Sequence, residues 1–258
     1  MSLRVKVISN QPAGEGVYLL ELEPHELGRG AMPGQFVMLK PAPGRDPLLA
    51  RPFSIHGVTE NSLSVLYKII GRGTALLSGF SAGDIVEAWG PLGTGYNLDY
   101  RKPLLLAGGM GIASLAFAAS YLQENGVDPE SIYGAATVRD LVEGYYDSDG
   151  RYFISGAPWQ IITEDGTYGE TGLITGGLDE KLAGIDGVLA CGPLPMLKAV
   201  AQVCAEKQVP LDASLEAPMA CGLGACLGCA VPASQGGYLR VCKEGPVVDA
   251  GKVDWERV

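Results

Sequence analysis

Four cysteines near the end of the chain have the spacing of metal ligands. Three fall in the stretch ACGLGACLGCAVP and one in LRVCKEGP, and they occupy positions Cys221, Cys226, Cys229 and Cys242. The resulting pattern, C-x4-C-x2-C-x12-C, is typical of the ligands of a plant-type [2Fe-2S] cluster. Small residues fill most of the gaps, and they let backbone N–H groups turn toward the sulfur atoms, where such hydrogen bonds tune the reduction potential.

A structural zinc ion is the main alternative for these four thiols. Zinc also accepts four cysteine ligands, but usually as two separated, short-spaced pairs. In this chain the first and fourth cysteines stand alone, which favours iron and sulfur over zinc, and either metal over disulfides. Of the two other cysteines, Cys204 is expected to be a core thiol on a helix. Cys191 ends a predicted strand, where it either faces a ligand or packs against the sheet.

Two apolar strands in the middle of the chain end in sharp turns of small residues. The first is LLLAGGMGIASLA and the second is GVLACGPLPMLKAV. Backbone N–H groups and the dipole at the start of a helix favour a pyrophosphate, and ligands of parallel sheets bind at the carboxyl ends of strands. The first turn lacks the G-x-G-x-x-G pattern, so taken alone it fits a nucleotide site and close helix packing equally well.

A third group of polar residues lies nearer the start of the chain. The stretch RPFSIHGV puts Arg51 and Ser54 on one predicted strand, with a fork of donors for phosphate and a hydroxyl for the edge of a ring. The stretch LYKIIGRGTALLS adds Tyr67 as a stacking surface, and Gly73 and Thr74 at a helix start. Together these residues indicate a flavin site.

The elements that must position these residues change in kind along the chain. Residues 3–97 form short alternating runs separated by Gly, Pro and Asn, a pattern typical of an antiparallel sheet or barrel. Strands then alternate with helices, which predicts a parallel sheet with crossover helices. From about residue 212 the periodicity is lost, and this tail needs a metal to fold. The predicted fold is thus all-β followed by α/β, with a small C-terminal metal domain.

Composition excludes several classes of function. The chain has 258 residues, 47% of them hydrophobic, and a formal net charge of -10, which works against nucleic-acid binding. The N-terminal residues lack the pattern of a signal peptide, so we expect a cytoplasmic protein with reduced cysteines. Residues 103–122 are uncharged and as long as a membrane helix, but three glycines divide them into a strand, a turn and a helix. We therefore expect no membrane association. The two histidines, His25 and His56, are expected to lie at the surface or to be hydrogen-bonded structural residues.

Taken in order, R-P-x-S, G-x-G-T, the glycine-rich turn, C-G-P and the cysteine cluster resemble the ferredoxin-reductase-type flavoproteins over nearly the whole chain. Within that group the tail is most similar to the electron-transfer subunits of class B dihydroorotate dehydrogenase. The resemblance implies an FAD-binding β-barrel domain at 1–98, an NAD-binding α/β domain at 99–212 and a [2Fe-2S] domain at 213–258. It implies that the cluster ligands are Cys221, Cys226, Cys229 and Cys242. It implies that FAD binds to Arg51, Pro52, Phe53, Ser54, Leu66, Tyr67, Lys68, Gly73 and Thr74. It implies that the dinucleotide site is lined by Gly109, Gly111, Cys191, Gly192 and Pro193.

The same resemblance implies a reaction and a partner. An FMN-containing catalytic subunit would oxidise dihydroorotate to orotate in pyrimidine biosynthesis, and electrons would pass through the cluster and FAD to NAD+, because only a flavin exchanges both hydrides and single electrons. The partner, in a heterotetramer, would dock over the apolar rim around Cys226. Alternatives are the equivalent subunit of a hydrogenase, a sulfur reductase or a ferredoxin:NADP oxidoreductase, a membrane-anchored reductase, and a zinc-stapled interaction protein that is not an enzyme.

Two positions leave details of the site open. Before the cluster the chain reads SLEAPMACG, where relatives tend to have a polar or basic residue beside Met, so a role for Glu216 near the flavin is undecided. In TVRDLVEG, Arg139 could meet a 2′-phosphate while Asp140 beside it opposes one. The pair favours NAD over NADP.

Overall fold

A closed antiparallel barrel forms the N-terminal part of the molecule. The computed structural model describes residues 2–41, 46–148 and 151–258. Six of the described strands close the barrel in the order β1-β2-β5-β4-β3-β6. They are β1 (Leu3–Gly14), β2 (Val17–Leu22), β3 (Phe36–Lys40), β4 (Arg51–Val58), β5 (Leu63–Lys68) and β6 (Ile85–Leu92), joined in part by the short helices α1 (His25–Gly28) and α2 (Arg72–Leu77).

Alternation along the strands fills the barrel interior and leaves its outer wall for other contacts. On β5, Leu63, Val65 and Tyr67 point into the barrel core, whereas Leu66 packs outward with the second half of the molecule. The period of two in LSVLYK produces this division. The strand β4 carries half-buried residues from Arg51 to Ser54, so this part of the barrel surface is accessible.

A mixed sheet with helices on both faces follows the barrel. The remaining strands are β7 (Pro103–Gly108), β8 (Glu130–Ala135), β9 (Tyr145–Tyr146), β10 (Tyr152–Ile154), β11 (Ala157–Thr163), β12 (Glu170–Thr171), β13 (Gly187–Cys191), β14 (Leu211–Ser214), β15 (Ala230–Pro232), β16 (Tyr238–Arg240) and β17 (Val247–Asp249). The other helices are α3 (Ile112–Glu124), the short α4 (Leu178–Lys181) and α5 (Leu194–Lys207), and 3-10 turns occupy Gly109–Gly111, Val138–Asp140 and Ala250–Lys252. The described part of the sheet has the order β17-β14-β13-β7-β8-β11-β10-β9, with β12 beside β11.

The parallel centre of this sheet is apolar on both faces. The strand β7 is buried along its whole length, as expected for a parallel strand that helices cover on both sides. Helix α3 packs with Leu105 and Ala107 on one face, and α5 packs with Leu104 and Leu106 on the other. The uncharged segment 103–122 is therefore a strand, a turn and most of a helix, and none of the helices in the described ranges is long and apolar enough to cross a membrane.

The C-terminal segment is attached to both larger parts. After the hairpin β15–β16, the strand β17 returns to the mixed sheet and pairs antiparallel with β14. Residue Thr94, just after the barrel, donates its N–H to the carbonyl of Gly245 at 2.5 Å. The predicted fold class is confirmed: an antiparallel barrel, a parallel-centred sheet and a small cysteine-rich segment. The boundaries at residues 98 and 212 stay predictions.

Candidate functional site

The two turns of small residues meet at the carboxyl ends of adjacent strands. The strands β7 and β13 are parallel neighbours, with Cys191 opposite Ala107. A Cβ atom on Gly111 would overlap the carbonyl oxygen of Cys191, and one on Gly192 would lie 3.0 Å from the Cα of Gly108. The close approach of the two turns therefore requires glycine at these positions.

Gly109 stands in a different environment from its neighbours in the same turn. Its φ is +52°, and a Cβ atom there would meet nothing within 4 Å. The 3-10 turn that begins at Gly109 leads directly into α3, whose first N–H groups have no partner inside the helix. Close packing thus explains Gly111, while the open space at Gly109 is suited to a ligand.

A small polar network lies under these turns. Tyr96 and Ser114 are buried, and their oxygens are 3.1 Å apart. The Cys191 thiol is hydrogen-bonded to Ser214 and Tyr96, and burial raises its pKa to about 12. Cys191 is therefore a neutral thiol, 3% exposed, that packs in this network. Glu216, just beyond β14, is exposed, yet it acts electrostatically on Cys191, and its own partial desolvation raises its pKa.

The R-P-x-S and G-x-G-T motifs come together on the barrel wall. The guanidinium of Arg51 donates to the carbonyl of Leu49 at 2.6 Å. Its Nε would lie only 3.1 Å from a Cβ atom on Gly73, so the cation rests directly against the start of α2. The hydroxyl of Thr74 accepts the N–H groups of Ile70 and Gly71 and so holds the turn in shape.

The residues of β5 fall into different surroundings. The ring of Tyr67 is stacked on Tyr18 at 5.8 Å, touches Phe53 edge-on at 5.7 Å, and donates its hydroxyl to Asn10. Burial raises the pKa of Tyr67 to about 12. Tyr67 is therefore part of the packed barrel, and its ring does not offer the free stacking surface that the sequence suggested. Leu66 is also buried, against α3.

Lys68 ends β5 and links the barrel to the second sheet. Its ammonium lies 3.2 Å from the carboxylate of Asp140, which also accepts the hydroxyl of Thr137 at 3.2 Å. Arg139 is exposed. Of the two residues considered for the choice between NAD and NADP, the acidic one is thus bound to the barrel and the basic one faces solvent.

The four cysteines of the tail form two pairs. The side chains of Cys221 and Cys226 interact with each other, and the sulfurs of Cys229 and Cys242 are 3.2 Å apart. In residues 2–41, 46–148 and 151–258, no three acidic, histidine or cysteine side chains are grouped to hold one metal ion. Zinc would need four ligands around one point. Two pairs of thiols match two irons better, so this donor set fits a [2Fe-2S] cluster.

Backbone N–H groups point at the sulfurs, as the small residues between the cysteines predicted. Leu223 donates to the sulfur of Cys221 at 3.3 Å, and Gly224 donates to that of Cys242 at 3.1 Å. The backbone N–H groups of Leu223 and Cys226 lower the pKa of Cys221 to about 6, because they favour the thiolate. Arg240 donates to the carbonyl of Gly224 at 3.1 Å and pairs with Glu244, which fixes the loop from outside.

The cysteine loop rests on the outer wall of the barrel. A Cβ atom on Gly222 would lie 2.7 Å from Met38 and 3.2 Å from Leu92. Met38 is paired with Pro52 of β4 on one side and with Trp89 of β6 on the other. Sequence reasoning missed this platform, because a buried Met or Leu on a strand cannot be distinguished from any other core residue.

His56 was expected at the surface or in a hydrogen-bonded structural role, and the second expectation is confirmed. Its ring is buried, with Nδ1 3.1 Å from the carbonyl oxygen of Ala113 and Nε2 2.7 Å from the hydroxyl of Ser155. Sequence gave no means of finding these two partners. The side chain of His25 lies outside the described part of the structure. Cys204 is buried on α5, as predicted.

Comparison with known proteins adds to this geometry. Residues 216–254 match the family model described as the iron-sulfur cluster binding domain of dihydroorotate dehydrogenase B. The dihydroorotate dehydrogenase B (NAD(+)) electron transfer subunit of Geobacillus sp. (strain WCH70) is 38% identical over 97% of each chain. The protein of the same name from Clostridium acetobutylicum is 37% identical over 94% of this chain and 93% of its own.

Solved structures superpose on nearly the whole length of the chain. An NADH-dependent reduced ferredoxin-NADP oxidoreductase superposes with a TM-score of 0.83 at 25% identity, over 98% of this chain and 90% of its own. Phthalate dioxygenase reductase superposes with a TM-score of 0.60 at 15% identity, over 98% of this chain and 95% of its own. At that identity the second likeness concerns the fold alone.

The barrel, the strand-end turns and the paired cysteines define a flavin and iron-sulfur oxidoreductase subunit of the ferredoxin-reductase type, linked to NAD. Its function is electron transfer. Within that class the chain belongs to the family of dihydroorotate dehydrogenase B (NAD(+)) electron transfer subunits, since its relatives match it over almost their whole length. A subunit of this kind works with a catalytic partner.

Proposed function

We propose that this chain carries electrons from an FMN-containing subunit that oxidises dihydroorotate to orotate, and delivers them to NAD+. The observation that carries the proposal is the place where the cysteine loop packs on the barrel. Gly222 touches Met38, and Met38 pairs with Pro52 in the R-P-x-S strand. One strand of the barrel therefore separates the cysteines from the proposed flavin strand, which is a short path for electrons.

The ligands of the [2Fe-2S] cluster in this proposal are Cys221, Cys226, Cys229 and Cys242. Their arrangement in two pairs supports this assignment, as do the backbone N–H groups directed at sulfur. Cysteines that serve as metal ligands and not as disulfides suit a reducing compartment, and we place the protein in the cytoplasm on that ground.

The proposed FAD site lies where β4 faces α2. The guanidinium of Arg51 against Gly73 supports it, because this cation is fixed in place and its fork matches a phosphate. The full set comprises Arg51, Pro52, Phe53, Ser54, Leu66, Tyr67, Lys68, Gly73 and Thr74. Since Leu66 and Tyr67 have buried side chains, their part in binding would fall to the backbone of β5.

The proposed NAD site lies at the carboxyl ends of β7 and β13. It comprises Gly109, Gly111, Cys191, Gly192 and Pro193. The open space over Gly109 supports it, as does the start of α3 directly after this turn, where the helix dipole favours a phosphate. We further propose that the chain divides into units 1–98, 99–212 and 213–258, one for each group.

Bound FAD would supply the ability to take electrons singly from the cluster and give them as hydride to a nicotinamide. The chain itself supplies position and exclusion of water. Arg51 neutralises phosphate charge, and the glycines at β7 and β13 let the dinucleotide approach the sheet closely. Because the pKa of Cys191 is about 12, its thiol stays neutral and places no charge beside the reacting ring. Met38 and Leu92 keep water out between the loop and the barrel.

The partner subunit in this proposal docks over the cysteine loop and forms a heterotetramer. Cys226 is exposed, and two large apolar side chains flank it: Leu223 is 61% exposed and Leu227 is 62% exposed. Electrons must enter where the cluster is nearest to the surface. An apolar rim at that place is what a stable interface buries.

Substitution of the rim tests the docking site. Leu223→Asp and Leu227→Asp should each weaken co-purification with the catalytic subunit by tenfold or more, while the visible absorbance of the cluster stays the same. Leu173→Asp is the matched control, because Leu173 is similarly exposed, at 59%, on the nucleotide-binding part. Equal loss in all three variants would contradict this location.

Reconstitution tests the function itself. The chain is purified with its partner, and orotate formation is followed in the presence of NAD+, together with the visible spectrum and the iron content. We expect flavin and iron-sulfur absorbance and NAD+-dependent orotate formation. Zinc in place of iron, with no iron-sulfur absorbance, would overturn the cluster assignment. If the protein has flavin and iron-sulfur absorbance and oxidises NADH, but turns over hydrogen, sulfur or ferredoxin instead of dihydroorotate, the same module belongs to another complex.

A further inference from the structure

His56 joins three separate parts of the chain through one buried ring. It lies on β4 of the barrel, and its exposed fraction is 6%. Nδ1 is 3.1 Å from the carbonyl oxygen of Ala113, in the first turn of α3, and Nε2 is 2.7 Å from the hydroxyl of Ser155, in the turn between β10 and β11. A single side chain thus connects the barrel, the helix after the glycine-rich turn, and the edge of the second sheet.

The two ends of this connection are close along the chain to the proposed cofactor sites. His56 follows Ser54 by two residues on the same strand, and Ala113 follows Gly111 by two residues. The hydrogen bond from His56 to Ala113 therefore links the proposed flavin strand to the proposed nucleotide turn through very little intervening backbone. The flavin strand is paired with β3 from Arg51 to Ser54, and Ala113 lies in the first turn of α3.

The partners of the ring determine its tautomer. The oxygen of Ala113 is a carbonyl and can only accept, so Nδ1 must carry the proton. Nε2 is then the acceptor, and the hydroxyl of Ser155 donates to it. The neutral ring has both nitrogens satisfied in this way. Burial lowers the pKa of His56 to about 4, which agrees with an uncharged ring at neutral pH.

The backbone at Ser155 indicates that its hydroxyl is needed. Its φ is +51°, a left-handed conformation that costs a residue with a Cβ about 1 kcal/mol. Glycine would avoid this cost and is in fact the next residue, Gly156, with φ of +85°. A serine that keeps an unfavourable backbone while its side chain completes a buried hydrogen bond is a specific partner of the ring.

We propose that His56 is a positioning residue for hydride transfer: its Nδ1–H form, held by Ser155, fixes the first turn of α3, and with it the turn at Gly109–Gly111, against the flavin strand β4. This inference rests on the proposed function, since it assumes that the flavin and the nicotinamide occupy those two segments.

The tautomer is tested first, by a measurement that needs no activity. The chain has only two histidines, so the ring nitrogens in ¹⁵N-labelled holoprotein are assigned by comparison with His25→Gln. We expect His56 to show a protonated Nδ1 and a bare Nε2 throughout the range from pH 5.5 to 8. A ring protonated at Nε2 instead, or one that titrates near pH 6.5, would overturn the proposal.

The effect on hydride transfer is tested with graded substitutions. His56→Leu removes both hydrogen bonds, and His56→Asn keeps an amide donor where Nδ1 stood. Leu should slow reduction of the bound flavin by NADH on the order of tenfold to a hundredfold, because small misplacements of reacting groups have effects of that size. Asn should recover most of the rate. Stopped-flow absorbance records the rate, and the long-wavelength charge-transfer band on mixing with NADH records stacking of the two rings.

Ser155→Ala and Ser155→Gly keep the proposal testable should His56→Leu fail to fold. Both remove the hydroxyl, and Gly also removes the backbone strain. We expect both to weaken the charge-transfer band and to lower the hydride-transfer rate, with FAD content unchanged. If the rates and the band stay the same in every variant, His56 is merely structural and the proposal is wrong. If the unaltered protein transfers no hydride from NADH, the proposed function fails, whatever the tautomer of His56.

Discussion

The strand-end turns and the cysteine loop achieve close contact in opposite ways. At the turns, Gly108, Gly111 and Gly192 are packed between regular elements, and Gly111 lies directly against the carbonyl of Cys191. At the loop, residues 219–229 contain no helix or strand. The chain is held there by backbone N–H groups on sulfur, by Arg240 on the carbonyl of Gly224, and by Met38 and Leu92 of the barrel. The conformation of the turns results from close packing of the surrounding elements. The conformation of the loop results mainly from hydrogen bonds to its own cysteine sulfurs.

The difference shows what each region requires in order to fold. The turns belong to a sheet with a large apolar core and need no bound group to be stable. The loop buries few large side chains, so the metal must supply the free energy that a core would otherwise provide. Substitutions at the turns should therefore act on the stability of the whole protein, and those at the loop on the cluster alone.

The largest effect is expected from Gly111→Ala. The new methyl group would overlap the backbone of Cys191, which the sheet holds in place, so the cost should exceed about 4 kcal/mol. Thermal unfolding and soluble yield measure it. Gly109→Ala is the control two residues away, where space is open and only backbone strain, about 1 kcal/mol, applies. Similar losses in both variants would contradict the assignment of Gly111 to packing.

The next largest effect is expected from loss of a cysteine ligand, which tests the cysteine loop as Gly111→Ala tests the turns. Cys226→Ser should abolish the iron-sulfur absorbance and electron flow to the partner, yet FAD should stay bound and NADH should still reduce an artificial acceptor. The reason is that the hydride reaches the flavin without passing the cysteine loop. Cys204→Ser, in a buried thiol of α5, should leave the iron content unchanged. Loss of NADH oxidation with FAD still bound would reverse the proposed order of electron transfer.

Acid should weaken the packed region through His56. Its pKa falls from 6.5 to about 4 in the folded state, so the unfolded chain binds the proton more tightly between those values. The contribution of the neutral ring to the free energy of unfolding is fully present above pH 6.5. It is lost as the pH falls from 6.5 to 4, by about 3 kcal/mol in total. Denaturant unfolding at pH 7 and pH 4 should show this loss in the unaltered protein, and His56→Leu should lack that share of it.

The smallest effect is expected at the tie between Lys68 and Asp140. Both side chains are more than a third exposed, at 38% and 39%, so the pair should contribute less than about 1 kcal/mol. A double-mutant cycle with Lys68→Met and Asp140→Asn measures it, and added salt should reduce it. A coupling of several kcal/mol would show that this tie, like the turns, is part of the packed region.

Much of the site could be predicted because it depends on local chemistry. The cysteine spacing, the two turns and the R-P-x-S strand each signal a chemical role within a few residues, and the alternation of strands and helices predicted the fold class. Contacts between distant segments left no such signal. Met38 under Gly222 and Ser155 on His56 join residues far apart in sequence, and a buried methionine or an isolated serine carries no mark of its partner. Tyr67 is the opposite example: the sequence suggested a ring free to stack on a ligand, but the ring packs against Tyr18 and Phe53 of the barrel.

The contact between Gly222 and Met38 has a consequence for the order in which the protein matures. The cysteine loop follows β14 in the chain, yet it packs on the barrel wall formed by β3 and β6, which precede it by a long stretch of sequence. We therefore expect the loop to hold iron and sulfide in this arrangement only when the barrel is folded beneath it. A fragment that lacks the barrel would have the same four thiols, but without the surface against which Gly222 packs.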